Sequence, residues 1–299
     1  CPHEGPNRGR APQDRSVRIK SEWMIHQGGV VSTRTLRRWG NSPHDIAKAV
    51  RTGELHRLRA GWFAIASADP EVVRAVAAGG ALGCMSVLRR HGVWTVDTAL
   101  HVRVAESDGR NLPQDVKRCT LPGGRLVPSR PIDDLPTALV AASRCCSDEE
   151  LLIVLDSVVN LRLMERDEVE RLLGGAPLAV RRVVREMDLA ESGTETMVRH
   201  RLRARGVELR PQVVIEGVGR VDFVVGTSLV IEVDSVEHHT SREAYERDRE
   251  RDRLLQSLGY TVVRLTYRQV RWDWPRAEAD ILALMRRRRH RQRVARAVS

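Results

Sequence analysis

The chain has 299 residues, 41% of them hydrophobic, with 50 Lys and Arg against 39 Asp and Glu and a formal charge of +11. This length supports two or three domains with cores of their own, and the lack of any run of 18 apolar residues excludes a membrane-spanning helix. The charge favours a polyanionic partner, but Lys20, Lys48 and Lys117 are the only lysines, so an arginine-rich, GC-rich coding bias accounts for it equally well.

Residues 1–20 are polar, rich in Gly, Pro and Arg, and read as a disordered lead-in with no secretory signal. The first residue is Cys1, not methionine, which points to a shortened start. The five cysteines, Cys1, Cys84, Cys119, Cys145 and Cys146, show no metal-ligand spacing and suit a reducing cytoplasm. Cys84, Cys145 and Cys146 read as small buried apolar residues.

From Ser21 the pattern is helical to Gln27, breaks at Gly28-Gly29, and resumes as Val30-Val31-Ser32. Ser32 is placed to cap a helix over Thr33–Trp39; Gly40-Asn41 makes a turn, and Ser42 caps a second helix to about Thr52. Glu54–Ile65 then predicts two short strands about a basic turn. This is the order of a winged helix-turn-helix. With its Gly-Gly-Val-Val start and Arg59-Ala60-Gly61-Trp62 wing, the segment from Ser21 to Ala66 resembles the N-terminal domain of AbiEi-type antitoxins. The resemblance implies that His44, Asp45, Lys48 and Arg51 face the major groove of DNA and that Arg57 and Arg59 reach its backbone. A winged helix that serves protein contacts is the rival reading.

The middle region is the least informative. Pro70–Gly79 and Ala81–His91 read as helices, His101–Ala105 and Val116–Leu121 as strands about an Asp108-Gly109 turn, and Leu135–Cys146, Asp148–Val159 and Arg166–Leu173 as helices. It shows no site, and a bridge or homodimer surface is the expectation.

Val221–Val225 and Leu229–Val233 are β-branched strands joined by Gly226-Thr227-Ser228. Alternation puts Glu232 and Asp234 on one face with Asp222 on the neighbouring strand. Three carboxylates near a buried sheet are tolerable mainly with a cation, and all-oxygen ligands suit Mg²⁺ or Mn²⁺. Spacing alone leaves the alternative open, that these are solvated edge acids or partners of arginines.

Further matches follow in order: Glu195 on a first helix, Pro211-Gln212 at the first strand, Val221-Asp222-Phe223, Ile231-Glu232-Val233-Asp234, His238, Asp248–Asp252, and Gly259–Arg264. From about Glu191 to Met285 the chain resembles the very-short-patch-repair-like branch of the PD-(D/E)XK nucleases. It departs from the pattern at Ser235, where a glycine is usual, and at Asp234, where the broad superfamily has lysine. The resemblance implies that Asp222 and Glu232 hold the metal with the Val233 carbonyl. It makes Asp234 an orienting group for the attacking water and His238 the general base, with Glu195, Gln212 and Arg264 completing the site. Arg251 contacts nucleic acid or forms an intrahelical ion pair with Asp248, and Arg264 holds phosphate or bridges to Glu232 or Asp248. The run Arg286–Arg293 extends the last helix into a basic tail that grips DNA or is a disordered end.

The expected fold is α/β: a winged helix over 21–68, a mixed middle domain over 69–177, a restriction-endonuclease-like core over 178–285 and a basic tail over 286–299. The implied function is a Mg²⁺- or Mn²⁺-dependent DNA endonuclease of the cytoplasm, without an organic cofactor, serving repair, phage defence or a toxin-antitoxin pair. The alternatives are an antitoxin-type regulator with an inactive nuclease fold, and an RNase.

Overall fold

The structure, a computed structural model, describes residues 17–18, 20–105, 112–123, 128–188, 190–234 and 242–295, without the side chains of residues 21, 23, 242–245, 247 and 248. It divides into two compact units, residues 1–87 with 99–141, and residues 88–98 with 142–299. The fold is mixed α/β, with thirteen α-helices and three sheets among the described residues, none of the helices long and apolar enough to cross a membrane.

The first unit opens with α1 (Ser21–His26), β1 (Val30–Ser32), α2 (Thr33–Arg38), α3 (Pro43–Arg51), β2 (His56–Arg59) and β3 (Trp62–Ala64). β3 lies between β1 and β2, antiparallel to both. Ser32 caps α2, and Ser42 with Asp45 forms a capping box on α3, where Pro43 supplies a pre-set φ. Met24, Val31, Leu36, Ile46, Leu55 and Phe63 form the core beneath them. Val17 joins that core, and Asn41 clamps Arg18 by bonds of 2.7 and 2.9 Å. The end of the expected lead-in is therefore packed; residues 1–16 lie outside the described residues.

Next come α4 (Pro70–Ala77), β4 (Ala81–Leu82), α5 (Cys84–Arg90), β5 (Leu100–Arg103), β6 (Val116–Cys119) and α6 (Leu135–Cys145). Two expectations are corrected. The helix expected over Ala81–His91 begins only at Cys84, because Ala81 and Leu82 pair with Arg103 and Val102 in a strand. β5 and β6 are parallel, not a hairpin; parallel neighbours need a longer crossover than a tight turn, and Asp108-Gly109 lie outside the described residues.

The second unit carries α7 (Asp148–Asn160), α8 (Arg166–Leu173), α9 (Leu178–Glu186) and α10 (Gly193–Ala204) before its sheet. The sheet consists of β7 (Leu209–Ile215), β8 (Gly219–Val225), β9 (Leu229–Asp234) and, after α11 (Arg242–Ser257), β10 (Thr261–Thr266). Its order is β10-β9-β8-β7, with only β10–β9 parallel, as a helical crossover requires. α12 (Tyr267–Trp272) and α13 (Trp274–Arg286) follow. On one face Phe223, Ile231 and Leu265 pack against Met197 and Leu202 of α10 and Ile281 of α13. On the other, Val221, Val224 and Val230 pack against Leu255 and Leu258 around α11.

A buried ion pair fixes α10 to α7. Arg199 and Asp156 are bonded with side chains 0% and 2% exposed, and Thr196 donates to the same carboxylate at 2.8 Å. Burial pushes Asp156 up to about 6 against the pull of Arg199.

The basic run is neither a continued helix nor a free end up to residue 295. Arg288 turns left-handed (φ 54°), a single 3-10 turn spans Arg289–Arg291, and the backbone docks on the β8–β9 turn. Thr227 N donates to His290 O (2.8 Å), Ser228 Oγ to Arg289 O (2.7 Å) and Gln292 N to Ser228 Oγ (2.8 Å). Gly226 permits this approach, since a Cβ there would stand 2.2 Å from His290 O.

Candidate active site

The antiparallel pairing of β8 with β9 stops at Phe223–Ile231, one residue short of Asp222 and Glu232. Where the strands part, Val233 N donates to Asp222 Oδ2 at 2.8 Å, so a carboxylate takes the place of a backbone acceptor. An extended residue points its amide and carbonyl to the same side of the strand. The Val233 carbonyl thus faces the same gap.

Acids converge here from three elements. Asp222 comes from β8, and Glu232 and Asp234 from β9; Glu195 on α10 is 5% exposed. Burial raises Asp222, Glu232 and Glu195 above their usual carboxylate range, and Asp222 adds like-charge repulsion to both glutamates. Glu232 is as buried as Glu195 while Asp234 is exposed, so the two acids of β9 differ in solvation despite sharing a face.

Gln212 supplies the link to α10. It is skipped in the β7–β8 ladder, between Pro211–Phe223 and Val213–Val221, because its φ is +52°. In that left-handed turn its Nε2 donates to Glu195 Oε2 at 2.9 Å, and Glu195 also accepts from Glu191 N and Ser192 Oγ, both at 2.9 Å. A non-glycine residue held so costs about 1–3 kcal/mol. Gln212→Gly is expected to relieve that strain, keeping stability within about 1 kcal/mol of wild type, while releasing Glu195. Denaturant melts paired with cleavage assays test this; a loss of stability without loss of cleavage would show that Gln212 only shapes the strand.

Two arginines balance the acids. Arg264 on β10 stands beside Glu232 in the parallel register and contacts Glu232 at 3.0 Å, Asp252 at 2.7 Å and Asp234 at 3.6 Å. Arg251 on α11 stands 2.7 Å from Glu232 Oε1 without hydrogen-bond geometry and donates to Arg220 O. Arg251 thus reaches the acid cluster, and Arg264 bridges to Glu232 as one of its readings allowed. Asp252 joins the site unforeseen as a residue of it; only the fold brings its helix over β10. The Asp248 side chain, and Glu237, His238 and His239, lie outside the described residues.

The donor set suits a hard cation. It is all oxygen, two carboxylates are desolvated, and the buried Glu232 Oε1 and Gln212 Oε1 make no hydrogen bond. At the other end of the chain, His44 and Arg51 on α3 and Arg57 on β2 are exposed, and Lys48 and Arg59 are half-buried. Asp45 is not free to face a groove, since its carboxylate accepts from Ser42 N at 2.8 Å in the capping box. Arg57 lies 5.6 Å over the Phe63 ring and Arg59 5.4 Å over Trp62, which steadies both guanidinium groups on the hairpin.

No curated protein matches the chain. A family model, REase_MTES_1575, matches residues 195–285, from Glu195 through the whole four-stranded sheet to α13. The C-terminal part of the chain is accordingly similar to restriction-endonuclease-like domains, which supports a nuclease function in general.

Proposed function

We propose that the chain is a metal-dependent DNA endonuclease of the very-short-patch-repair-like type, whose first residues, 21–68, dock duplex DNA as a winged helix. The observation that carries this reading is the cluster of desolvated acids at the point where β8 and β9 part, inside the matched segment. Asp222, Glu232 and the Val233 carbonyl would hold Mg²⁺ or Mn²⁺. When bound, such an ion neutralises charge building on the phosphate and eases deprotonation of water.

The protein's own residues do the rest. Asp222 is oriented by Val233 N. Asp234, exposed at the strand end, accepts a hydrogen bond from the attacking water and aims it. Arg264, already tied to Glu232 and Asp252, turns its charge to the phosphate. Glu195 and Gln212 form a buried brace behind Asp222. His238 takes the proton in this reading, on the strength of the sequence pattern alone.

The rival is an antitoxin-type regulator with an inactive nuclease fold, favoured by the arginines already standing on Glu232. Incubation with supercoiled, nicked, mismatched and single-stranded DNA, with Mn²⁺ or EDTA, separates the two: cleavage that EDTA abolishes supports the enzyme, and intact DNA under every condition sinks it.

For the winged helix, replacing Lys48, Arg51, Arg57 and Arg59 together is expected to weaken duplex binding and flatten its salt dependence. The log–log slope should fall by about 0.9 for each phosphate no longer neutralised. Gel-shift titrations at several salt concentrations measure it; an unchanged slope removes these residues from the interface.

A further inference from the structure

The first unit holds a second cluster with different chemistry. Cys84 follows β4 and opens α5, His101 lies in β5, and Cys119 ends β6. Pairing of Leu82 with Val102 brings Gly83 N to His101 O at 3.2 Å, which sets Cys84 beside His101. The parallel register matches His101 with Lys117 and Arg103 with Cys119, so His101 and Cys119 are diagonal neighbours on one face. Cys119 Sγ stands 3.3 Å from His101 Nδ1, and the two sulfurs and a ring nitrogen lie within 4.8 Å of one another. The three residues are 0%, 2% and 1% exposed for Cys84, Cys119 and His101.

We propose that Cys84, His101 and Cys119 hold a structural zinc ion. Zinc bonds of about 2.3 Å to sulfur and about 2.0–2.1 Å to nitrogen place tetrahedral ligand atoms about 3.5–3.8 Å apart, inside the observed span. Two thiolates and an imidazole are too soft a set for Mg²⁺ or Mn²⁺ and suit zinc. A further donor, water or thiol, completes the tetrahedron.

Two features of the backbone fit the assignment. Cys84 has a φ of +48°, in the region that favours glycine, and a residue with a Cβ held there costs about 1–3 kcal/mol. A metal bond to its sulfur offsets that cost, and the strained turn aims the side chain at His101. Ser86 Oγ accepts from His101 N at 2.9 Å, fixing the strand that carries the imidazole. On binding, each thiol releases its proton to solvent, so occupancy falls as pH drops. The ion would tie together a turn, a strand and a parallel neighbour that are 17 and 18 positions apart in the chain, and so contribute to the folding of this small sheet.

The test uses the full chain. Purified without added metal, it is expected to contain one zinc per chain by elemental analysis, and its Co²⁺-exchanged form to show the thiolate charge-transfer and intense visible bands of a tetrahedral site. Stripping with a strong chelator should lower Tm, and equimolar Zn²⁺, not Mg²⁺, should restore it. Cys84→Ser and Cys119→Ser should each lose the zinc; because either variant can misfold, the strip-and-restore melt of the wild type stands as an independent check. The double variant Asp222→Asn, Glu232→Gln must keep its zinc, which separates this site from the nuclease acids. Zinc retained in both cysteine variants, zinc lost from the acid variant, a wild-type Tm indifferent to zinc, or a Cys84–Cys119 disulfide in the purified protein would each overturn the proposal.

Discussion

Asp222→Asn should abolish Mn²⁺-dependent cleavage and at the same time raise Tm at neutral pH. The asparagine keeps the acceptor that Val233 N uses, so the strands should part as before. It removes one of two charged ligands, and several kcal/mol of transition-state stabilisation correspond to about 10²–10⁴-fold in rate. The rise in Tm follows from the sign of the pKa shift. Burial raises the Asp222 carboxyl in the folded state, so the folded protein binds its proton more readily than the unfolded chain does. Ionised Asp222 therefore destabilises the fold, and that penalty is present above the folded pKa and gone below the unfolded one. Melts across pH should show the variant's advantage shrinking as the solution is acidified. Unchanged cleavage would end the ligand assignment; a lower Tm would mean that Arg251 compensates the charge more fully than burial penalises it.

The largest stability effect is expected from Arg199→Met. The substitution leaves Asp156 buried beside Thr196 without its cation, a change that typically costs about 3–5 kcal/mol. Asp156 sits at about 6 with the arginine present, and without it the carboxyl rises further. A raised acid lends stability at low pH that is lost as pH climbs through its folded pKa, so the deficit relative to wild type should be widest at pH 7 and above and narrow toward pH 4. Urea unfolding at several pH values checks this. Adding Asp156→Asn to Arg199→Met should recover part of the loss, since the stranded charge is then removed.

Local chemistry is legible in the sequence where it decides structure. Ser32 and Ser42 cap helices because a hydroxyl before an apolar-periodic run has few other uses, and the Gly226–Ser228 turn follows from glycine between two β-branched runs. What depends on pairing between distant segments is not. Ala81 and Leu82 belong to an apolar stretch that reads equally as helix, and pairing with Val102 and Arg103, with the bridge from Leu82 to Ile132, decides otherwise. The left-handed Gln212, the Arg199–Asp156 pair and the approach of Arg264 to Asp252 each need two elements already in place. The cysteines read as inert because metal motifs are recognised by short spacings, and His101 and Cys119 meet only through a parallel register. Cys145 and Cys146, expected to be buried, are only half-buried.

On the proposed nuclease reading, the docking of the basic run on the β8–β9 turn makes the sheet a ruler. The contacts are made by main-chain atoms of Arg289, His290 and Gln292, which leaves the side chains of Arg286–Arg289, Arg291 and Arg293 exposed. From Ser228 to Asp234 the strand advances about 20 Å at roughly 3.3 Å per residue. For a duplex lying along that strand, with a rise of about 3.4 Å per base pair along its axis, these arginines would meet the backbone about six base pairs from the bond that faces the acids. The offset is set by a rigid strand, so lengthening the chain between α13 and the turn would change how firmly the nucleic acid is held and leave the spacing between grip and cut unaltered.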